Sequence, residues 1–452
     1  MKRNNNFLSF AKALNIIVMT LPFALAWYLY YADRIGTTFF RLGDYFIVVI
    51  FFSLYFFFVI LYNGLDVTLF RVSDLVYSQT ISFVISNVIL YIVIFILNKG
   101  IITFLPMMLV IFVQEVIAII WSQYCHAWYF KNFKPAKTII VYNNRKEIKG
   151  LIENHGLTKR FDVQKAINVT ACLKKLDMLK EYEVVFINDL HSTDRNIIAK
   201  YCLANDIEMY LSPRLGDIIV SGSRDINLFH LPMKHLVRNN ANIAYLVTKR
   251  IFDVVISLLA LIVVSPFMLI TAILIKVYDR GPVFYKQNRL TKDGKVFELI
   301  KFRSMKINAE KETGAILSSG DNDPRITPIG RFIRKIRFDE LPQLFNILKG
   351  DMTIVGPRPE RPEIAKEYEK KLPEFRLRLQ VKAGLTGYAQ VYGKYNTTPY
   401  NKLKMDLMYI ARMNLIEDLR ICLATIKILF MPESTEGIQD GNKTAMDSEN
   451  ND

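Results

Sequence analysis

The chain of 452 residues is 52% hydrophobic and 13% aromatic, and it carries a formal net charge of +16. This length can hold two or three domains, but the apolar fraction excludes an ordinary soluble protein and predicts a membrane protein. The positive charge is compatible with nucleic acid, anionic lipid or phosphorylated substrates, and it also fits the cytoplasmic charge bias of membrane proteins. Nucleic-acid binding would explain the charge but not the long apolar segments, so we expect no nucleic-acid partner.

Four apolar segments near the start of the chain have the length of membrane-spanning helices. They cover residues 13–31, 45–62, 77–97 and 104–124. Basic residues precede the first segment and follow the fourth, so the positive-inside rule places both ends in the cytoplasm. We therefore predict a four-helix transmembrane bundle over residues 1–130. Almost no ionisable residue falls at mid-depth in these segments, which argues against a transporter.

Residues 131–240 have the pattern of a soluble α/β domain. Strand-like runs KTIIVY, EVVFIN and IEMYLS alternate with helix-like stretches, which is typical of a small Rossmann-like fold. The turn after the first strand reads YNNRKEIKG and lacks the G-x-G-x-x-G signature that brings a backbone close to a pyrophosphate. We therefore expect a degenerate Rossmann-like domain with a structural or regulatory role and no bound dinucleotide.

A fifth apolar segment, residues 252–279, carries Ser265 and Pro266 at its midpoint. Pro266 removes one backbone donor and clashes with the carbonyl four residues earlier, so a kink is expected, and the Ser265 hydroxyl can satisfy part of the freed backbone. Two interpretations stay open: a kinked spanning helix, or a re-entrant membrane helix over residues 251–277 that breaks at this pair. Re-entry keeps the C-terminal residues on the side of cytoplasmic nucleotides. The polar residues 433–452 predict a disordered tail.

A basic block precedes two adjacent acids in the last third of the chain. Apolar residues interspersed with the cations between Arg325 and Arg337 predict an amphipathic helix suited to anionic headgroups. Asp339 is expected to cap the next helix, with Gly350 after its end. A carboxylate there can also meet a phosphate if a divalent cation screens the charges, and Glu340 is a suitable Mg²⁺ ligand. An ordinary cap and a catalytic acid both fit these residues.

The segment GDMTIVGPRPE follows, and it contains an arginine between two prolines. Pro357 and Pro359 fix the backbone on both sides of Arg358, so its guanidinium is presented with little freedom to grip a phosphate or stack on a base. The later segment VKAGLTGYAQVYGKY has glycines that permit tight turns beside a ligand but do not identify one. Neither segment alone establishes a function.

Taken in order, these segments closely resemble the bacterial sugar transferases, the monotopic polyprenol-phosphate phosphoglycosyl transferases that begin exopolysaccharide, capsule and O-antigen synthesis. The resemblance is carried by TKRIFDVVISLLALIVVSP, GPVFYKQNRLTKDGKVFELIKFRSM, DPRITPIGRFIRKIRFDELPQLFNILKGDMTIVGPRPE and VKAGLTGYAQVYGK. It implies a catalytic phosphoglycosyl transferase domain over residues 247–432. The preceding parts resemble the long subgroup of this family. The expected fold class is therefore a membrane protein of α plus α/β type, with a four-helix bundle, a Rossmann-like domain and a re-entrant-helix catalytic domain.

The resemblance implies that Asp339 attacks the sugar-bearing phosphorus of a UDP-sugar and expels UMP. Polyprenol phosphate (undecaprenyl phosphate) would then attack the phosphosugar-aspartyl intermediate, which divides one difficult encounter into two. The family likeness makes Glu340 the ligand of a Mg²⁺ cofactor and Arg358 a nucleotide contact. It makes Ser265 and Pro266 the break in the membrane helix. Further cations match the family site and are expected as phosphate contacts: Lys301, Arg303, Arg325 and Arg337.

Three positions depart from the family pattern: Ala383 where a proline is expected, Tyr388 where tryptophan is common, and the stretch RMNLIED, which lacks the usual aromatic. They bear on sugar and lipid details, because none touches the acid pair or the arginine between the prolines. Family likeness also implies a multi-pass protein of the bacterial inner membrane, with cytoplasmic soluble domains, and a homodimer. An alternative of another class is an inactive membrane scaffold of a polysaccharide assembly complex. The transferred sugar and the polymer stay open.

Overall fold

The computed structural model describes residues 6–35, 43–100, 102–143, 160–238, 241–307, 323, 325–393 and 397–429. The chain divides into two compact units, Met1–Ser212 and Pro213–Asp452. Four long apolar helices and a parallel sheet make up the described part of the first unit, and a fifth long helix opens the membrane-associated part of the second. The tail predicted at residues 433–452 lies outside the described residues.

Long apolar helices occupy the beginning of the first unit. They are α1 (Asn6–Ala26, continued by a π-helical turn Trp27–Tyr31), α2 (Gly43–Leu61), α3 (Val72–Asn98) and α4 (Leu105–Asn132). Each is long and apolar enough to cross a membrane, and the same holds for one helix of the second unit, Ile243–Asp279. Helices therefore lie where the apolar segments predicted them, which agrees with a membrane protein of mixed helix and sheet.

The interior formed by the four helices α1, α2, α3 and α4 combines a large apolar cluster with buried amides. The cluster includes Met19, Phe23, Phe51, Phe83 and Met107. Asn15 Nδ2 donates to Gln79 Oε1 at 3.2 Å, and Asn87 Nδ2 donates to Gln114 Oε1 at 2.7 Å. A polar group left unsatisfied in an apolar interior is costly, so these amide pairs favour one particular pairing of helix faces.

A four-stranded sheet follows the fourth helix. Its strands are β1 (Ala136–Tyr142), β2 (Phe161–Asn168), β3 (Val184–Asn188) and β4 (Glu208–Leu211). The order is β2-β1-β3-β4 and every neighbouring pair is parallel. Helices α5 (Val169–Lys174) and α6 (Ser192–Ala204) lie between strands in the chain. The three predicted strands are confirmed as β1, β3 and β4, whereas β2, an edge strand with mostly exposed residues, gave no apolar run to detect.

The second unit begins with α7 (Leu215–Ser221), a hairpin of β5 (Arg224–Leu228) and β6 (Leu231–His235), and the long α8 (Ile243–Asp279). The same unit contains two further strand pairs. Strands β7 (Phe284–Leu290) and β8 (Val296–Phe302) are antiparallel, and β9 (Met352–Val355) and β10 (Ala383–Thr386) are parallel. The remaining helices are α9 (Pro328–Lys335), α10 (Gln343–Lys349), α11 (Pro362–Lys371), α12 (Tyr388–Tyr392), α13 (Pro399–Ala411) and α14 (Leu415–Leu429).

Helix α8 continues through Ser265 and Pro266. Pro266 has no N–H for the Ile262 carbonyl four residues earlier, and the Ser265 hydroxyl donates to that carbonyl at 3.0 Å. The predicted role of the serine is therefore confirmed. The pair itself is helical, with turns of α8 on both sides, and the break that the family likeness implies stays a prediction. The course of α8 relative to a membrane stays a prediction.

The N-terminal part of α8 is fastened to the segment that carries the acid pair. Arg250 donates from Nη1 and Nη2 to two carbonyls in the last turn of α10, at 2.6 and 2.8 Å. Asp253, 5% exposed, accepts from the Thr353 hydroxyl and from the Ile354 N–H. A cation at the C-terminal end of a helix is favoured by the helix dipole. These contacts tie the apolar helix to both α10 and β9.

Candidate active site

The acid pair lies in a tight turn between two short helices. Thr327 caps α9 by accepting the Gly330 N–H at 2.9 Å. The helix begins at Pro328, where the amphipathic pattern predicts it, and ends at Lys335. A 3-10 turn, Phe338–Glu340, separates it from α10. The end of α10 is confirmed at Gly350, whose φ of 97° is a left-handed conformation that favours glycine.

Asp339 does not cap α10, which corrects the sequence-based expectation. It lies inside the 3-10 turn, and the residue that begins the turn is Arg337, with φ of 59°. Pro342, which has no N–H, occupies the N-cap position of α10. The chain thus makes a separate turn before the helix, and this turn directs Asp339 into a buried position, 9% exposed.

Two cations from distant parts of the chain converge on Glu340. Lys301 on β8 places Nζ 3.0 Å from Glu340 Oε1, and Arg358, in the loop after β9, places Nη2 2.8 Å from the same oxygen. The Glu340 side chain is 14% exposed. The structure therefore brings together four of the predicted site residues: both acids, the lysine and the arginine between the prolines.

The pKa values of the two acids are shifted in opposite directions. Burial raises the pKa of Asp339; the charge of Lys301 offsets part of this, and the neighbouring Glu340 adds to it. Burial acts on Glu340 in the same direction, but the charges of Arg358 and Lys301 outweigh it and hold the pKa of Glu340 well below its usual range. Burial also lowers the pKa of Lys301. Glu340 thus holds the firm negative charge, while Asp339 is the more basic carboxylate.

Two of the other predicted phosphate contacts pair with carboxylates outside the acid pair. Arg303 pairs with Asp279 at the end of α8. Arg325 pairs with Asp323, with Nε 2.9 Å from Oδ1 and Nη2 2.6 Å from Oδ2. Arg337 starts the turn that holds the acids, and its charge lowers the pKa of both Asp339 and Glu340. Of this group, only Arg337 acts on the acid pair through the contacts and charges described.

The two acids are suitable ligands for a metal ion whose remaining ligands come from a substrate. Among the described residues, no group of three or more His, Cys, Asp and Glu side chains is arranged to hold a metal ion by itself. Mg²⁺ is usually held by one or two carboxylates together with substrate phosphates and water. Asp339 and Glu340 supply that partial set of oxygen donors, and both cation contacts of Glu340 fall on Oε1.

Close backbone packing fixes the loop with the two prolines. A Cβ atom on Gly384 or Gly387 would overlap the backbone of Gly356, the residue before Pro357. The glycines of VKAGLTG therefore permit the approach of two chain segments, rather than a turn beside a ligand. Ala383 also has a structural consequence, because its N–H donates to Thr291 Oγ1 at 3.2 Å and a proline there would have no such donor.

Residues that the sequence analysis did not single out pack against the loop that carries Arg358. A cleft beside Arg358 is lined by Leu290, Pro357, Glu360, Phe375, Arg378 and Val381. Arg378 is 4% exposed and its partner Asp406 is 1% exposed. Asp406 lies between Leu403 and Leu407 on the buried face of α13, and an acid inside an apolar helical stripe is the one sequence signal that indicates a buried ion pair.

Comparisons with known proteins identify similar sequences for part of this chain. The sequence model described as bacterial sugar transferase matches residues 244–432. A UDP-N-acetylgalactosamine-undecaprenyl-phosphate N-acetylgalactosaminephosphotransferase of Aeromonas hydrophila is 35% identical over 245 residues, which are 54% of this chain and 56% of that protein. A UDP-glucose:undecaprenyl-phosphate glucose-1-phosphate transferase of Klebsiella pneumoniae is 35% identical over 46% of this chain and 45% of its own length.

A shorter relative is covered almost completely. The exopolysaccharide production protein PSS of Rhizobium leguminosarum bv. phaseoli is 39% identical over 189 residues, 40% of this chain and 94% of that protein. By contrast, the match spans only about half the length of the Aeromonas and Klebsiella relatives. The segment that the family model matches, residues 244–432, contains the acid pair and its cations. The chain belongs to the bacterial sugar transferase family.

Proposed function

We propose that this chain transfers a sugar-1-phosphate from a UDP-sugar to polyprenol phosphate (undecaprenyl phosphate) and releases UMP. The reaction would be the first membrane step of exopolysaccharide, capsule or O-antigen synthesis. The observation that carries the proposal is the convergence of Lys301 and Arg358 on Glu340, in the same turn as the buried Asp339. Relatives named for transfer to undecaprenyl phosphate support the acceptor.

In the first step, Asp339 is the nucleophile. A carboxylate oxygen forms a bond to the sugar-bearing phosphorus, the bond from that phosphorus to the bridging oxygen breaks, and UMP leaves with the electron pair. The raised pKa of Asp339 makes its ionised form a better nucleophile than an ordinary aspartate. Lys301 and Arg358 offset the repulsion between this carboxylate and the diphosphate, and Glu340 holds both cations in place before the substrate binds.

In the second step, a phosphate oxygen of polyprenol phosphate attacks the same phosphorus. The bond between that phosphorus and Asp339 breaks, which restores the free carboxylate and yields a sugar linked to polyprenol through a diphosphate. Two displacements at one phosphorus divide a difficult encounter between two large anions into two separate encounters. Arg358, held between Pro357 and Pro359, contacts the nucleotide in the first step.

Mg²⁺ is the proposed cofactor, with Glu340 as its protein ligand and substrate phosphates as further ligands. When bound, it would supply positive charge that neutralises the phosphate oxygens as the bond to UMP breaks. The acid pair fits this role because its donor set is incomplete without substrate. Chelation with EDTA is therefore expected to stop UMP release, and added Mg²⁺ to restore it.

We also propose a membrane arrangement for this function. Helices α1 to α4 form a transmembrane bundle, the parallel sheet is a degenerate Rossmann-like domain, and α8 re-enters the inner membrane so that both soluble parts remain cytoplasmic, where UDP-sugars are. The exposed apolar side chains of α8 support membrane contact, among them Leu259, Ile262 and Val263. On α9, Phe332 is 64% exposed among cations, which suits a headgroup surface. A homodimer is the proposed assembly.

The test measures UMP release by purified full-length protein in nanodiscs with Mg²⁺, polyprenol phosphate and a panel of UDP-sugars. Wild type should release UMP from one or two donors, and Asp339→Asn should lower the rate by about 10³-fold or more because the nucleophile is gone. Asp293→Asn is the matched control, since Asp293 is a surface acid of the same unit with 46% of its side chain exposed.

A second readout detects the intermediate itself. Without polyprenol phosphate, mass spectrometry should find a phosphosugar on wild type and none on Asp339→Asn. Equal UMP release by Asp339→Asn and wild type would refute the nucleophile. No release by wild type with any donor would favour the inactive scaffold.

A further inference from the structure

Arg378 lies behind the loop that presents Arg358, in the 3-10 segment Pro373–Gln380. Its Nη2 donates to the Arg358 carbonyl at 2.8 Å and lies 2.7 Å from Asp406 Oδ2. Nη1 lies 3.8 Å from Glu360 Oε2. With 4% exposure, this guanidinium is a buried charge held between two carboxylates and one main-chain carbonyl. Arg378 donates to the backbone of Arg358, whereas the Arg358 side chain contacts Glu340.

The loop has few other main-chain groups by which it can be held. Pro357 and Pro359 have no N–H, so the three-residue segment around Arg358 offers a single backbone donor. Its carbonyls are the remaining backbone groups available for hydrogen bonds, and the Pro357 carbonyl accepts from the Gly384 N–H at 2.9 Å. Arg378 donates to the carbonyl of Arg358, and Arg289 donates to the carbonyl of Pro359 at 3.1 Å. Two consecutive carbonyls are thus each held by a largely buried arginine.

Charge explains why both arginines stay in this position. Glu360 lies between them, 3.7 Å from Arg289 Nη1 and 3.8 Å from Arg378 Nη1. Asp406 supplies the second negative charge from α13. A buried guanidinium needs paired charges and satisfied donors, and its planar fork can contact a carboxylate and a carbonyl at once, which a lysine ammonium does with poorer geometry.

We propose that Arg378, held by Asp406, is a positioning residue that fixes the Arg358 backbone and thereby aims the Arg358 guanidinium at Glu340 and the nucleotide. The inference rests on the proposed function only for the nucleotide contact. Arg378 does not touch the acid pair in the contacts described. Its effect on the reaction therefore passes through Arg358.

Arg378→Lys is the informative variant, because it keeps the positive charge for Asp406 and changes the geometry of the donors. Misplacing a substrate-binding group by about 1 Å can cost 10²-fold in rate, so kcat/KM for the UDP-sugar is expected to fall about 10-fold to 100-fold. Arg376→Lys is the matched control, since Arg376 is an exposed arginine of the same 3-10 segment. It should leave kcat/KM unchanged.

A double-mutant cycle separates positioning from general damage. In an Arg358→Ala background, Arg378→Lys should have no further effect beyond about 2-fold, because the side chain that it aims is absent. A purely structural role would lower activity by the same factor in both backgrounds. Additive effects, or wild-type activity of Arg378→Lys alone, would overturn the proposal.

Hydrogen exchange provides a readout that does not depend on activity. Peptides covering residues 352–361 should exchange about 10-fold faster in Arg378→Lys than in wild type or Arg376→Lys, since the loop backbone loses the hydrogen bond at the Arg358 carbonyl. Unchanged exchange would reject the positioning role. If wild type releases no UMP, the proposed function fails while exchange still decides this inference. If Arg378→Lys does not fold, Asp406→Asn undergoes the same cycle and exchange measurement with the same expected outcomes.

Discussion

The buried polar side chains between the first four helices are neutral, whereas those around the candidate active site include several charged ones. Asn15, Gln79, Asn87 and Gln114 are amides with at most 1% exposure. In the second unit, the corresponding buried positions carry ions, among them Asp339 at 9%, Arg378 at 4% and Asp406 at 1% exposure. Both regions bury polar side chains, and the partners of these side chains differ: amides and carbonyls in the first region, opposite charges in the second.

This difference follows from what each region has to do. Amides satisfy one another through hydrogen bonds and bring no net charge, so they can specify helix pairing inside an apolar environment at a modest cost. A buried charge requires a partner, and an ion pair seldom stabilises a fold more than an apolar replacement would. The charges buried near Asp339 therefore support the proposed site for phosphates, and substitutions that remove charge should affect the two regions differently.

After Asp339→Asn, the largest loss of activity is expected for Lys301→Ala. Removing a preorganised charge that faces developing negative charge typically costs 10²-fold to 10³-fold in kcat, and we expect a loss of about that size in UMP release. Lys286→Ala is the control, because Lys286 lies on the adjacent strand with a side chain 60% exposed and paired to Glu298. Wild-type turnover by Lys301→Ala would show that the cation at Glu340 has no part in the reaction.

The next effect is on the free energy of unfolding, which substitution of Glu340 should lower and substitution of Asp339 should not. The lowered pKa of Glu340 means that its charge stabilises the fold above the ordinary value of 4.5, a contribution lost as pH falls through the lower folded-state pKa. Glu340→Gln should therefore lower the free energy of unfolding at pH 7.5 by about 1–3 kcal/mol.

For Asp339 the raised pKa means that ionisation costs stability in the folded state above the ordinary value of 3.8. Asp339→Asn avoids that cost, so it should be at least as stable as wild type at pH 7.5, and its advantage should shrink as pH approaches 3.8. Thermal unfolding of both variants at pH 7.5 and 4.5 measures the contrast. A loss of stability of equal size in both variants would contradict the assignment of charge within the pair.

The smallest effect is expected inside the first four helices. Gln114→Leu removes the acceptor of Asn87 Nδ2 and the donor to the Met19 carbonyl, which should cost about 1 kcal/mol, in line with polar contacts between membrane helices. Because only neutral groups change, the cost should be the same at pH 7.5 and 4.5. Val116→Leu, at a position 40% exposed on the same helix, is the control. A pH-dependent loss would show that charge is involved in this interior.

Local features of the chain were accessible from the sequence. Apolar length predicted the five long helices, alternation of strand-like runs predicted β1, β3 and β4, and the amphipathic pattern predicted α9. The end of α10 at Gly350 followed from the left-handed conformation that glycine adopts easily. These features depend on residues within a few positions of one another, and hydrophobic periodicity and backbone propensity act over that range.

Sequence alone determined the elements, the acid pair and the family resemblance, and tertiary structure decided which charges meet. Lys301 reaches Glu340 across 39 positions. Arg303 and Arg325, chosen by the same reasoning, pair instead with Asp279, 24 positions away, and with Asp323, two positions away. Asp339 does not occupy the predicted cap position because a 3-10 turn precedes the helix. Arg378 pairs with Asp406, which lies on another segment, α13. A side-chain ion pair depends on where distant segments pack, and no local pattern encodes that packing.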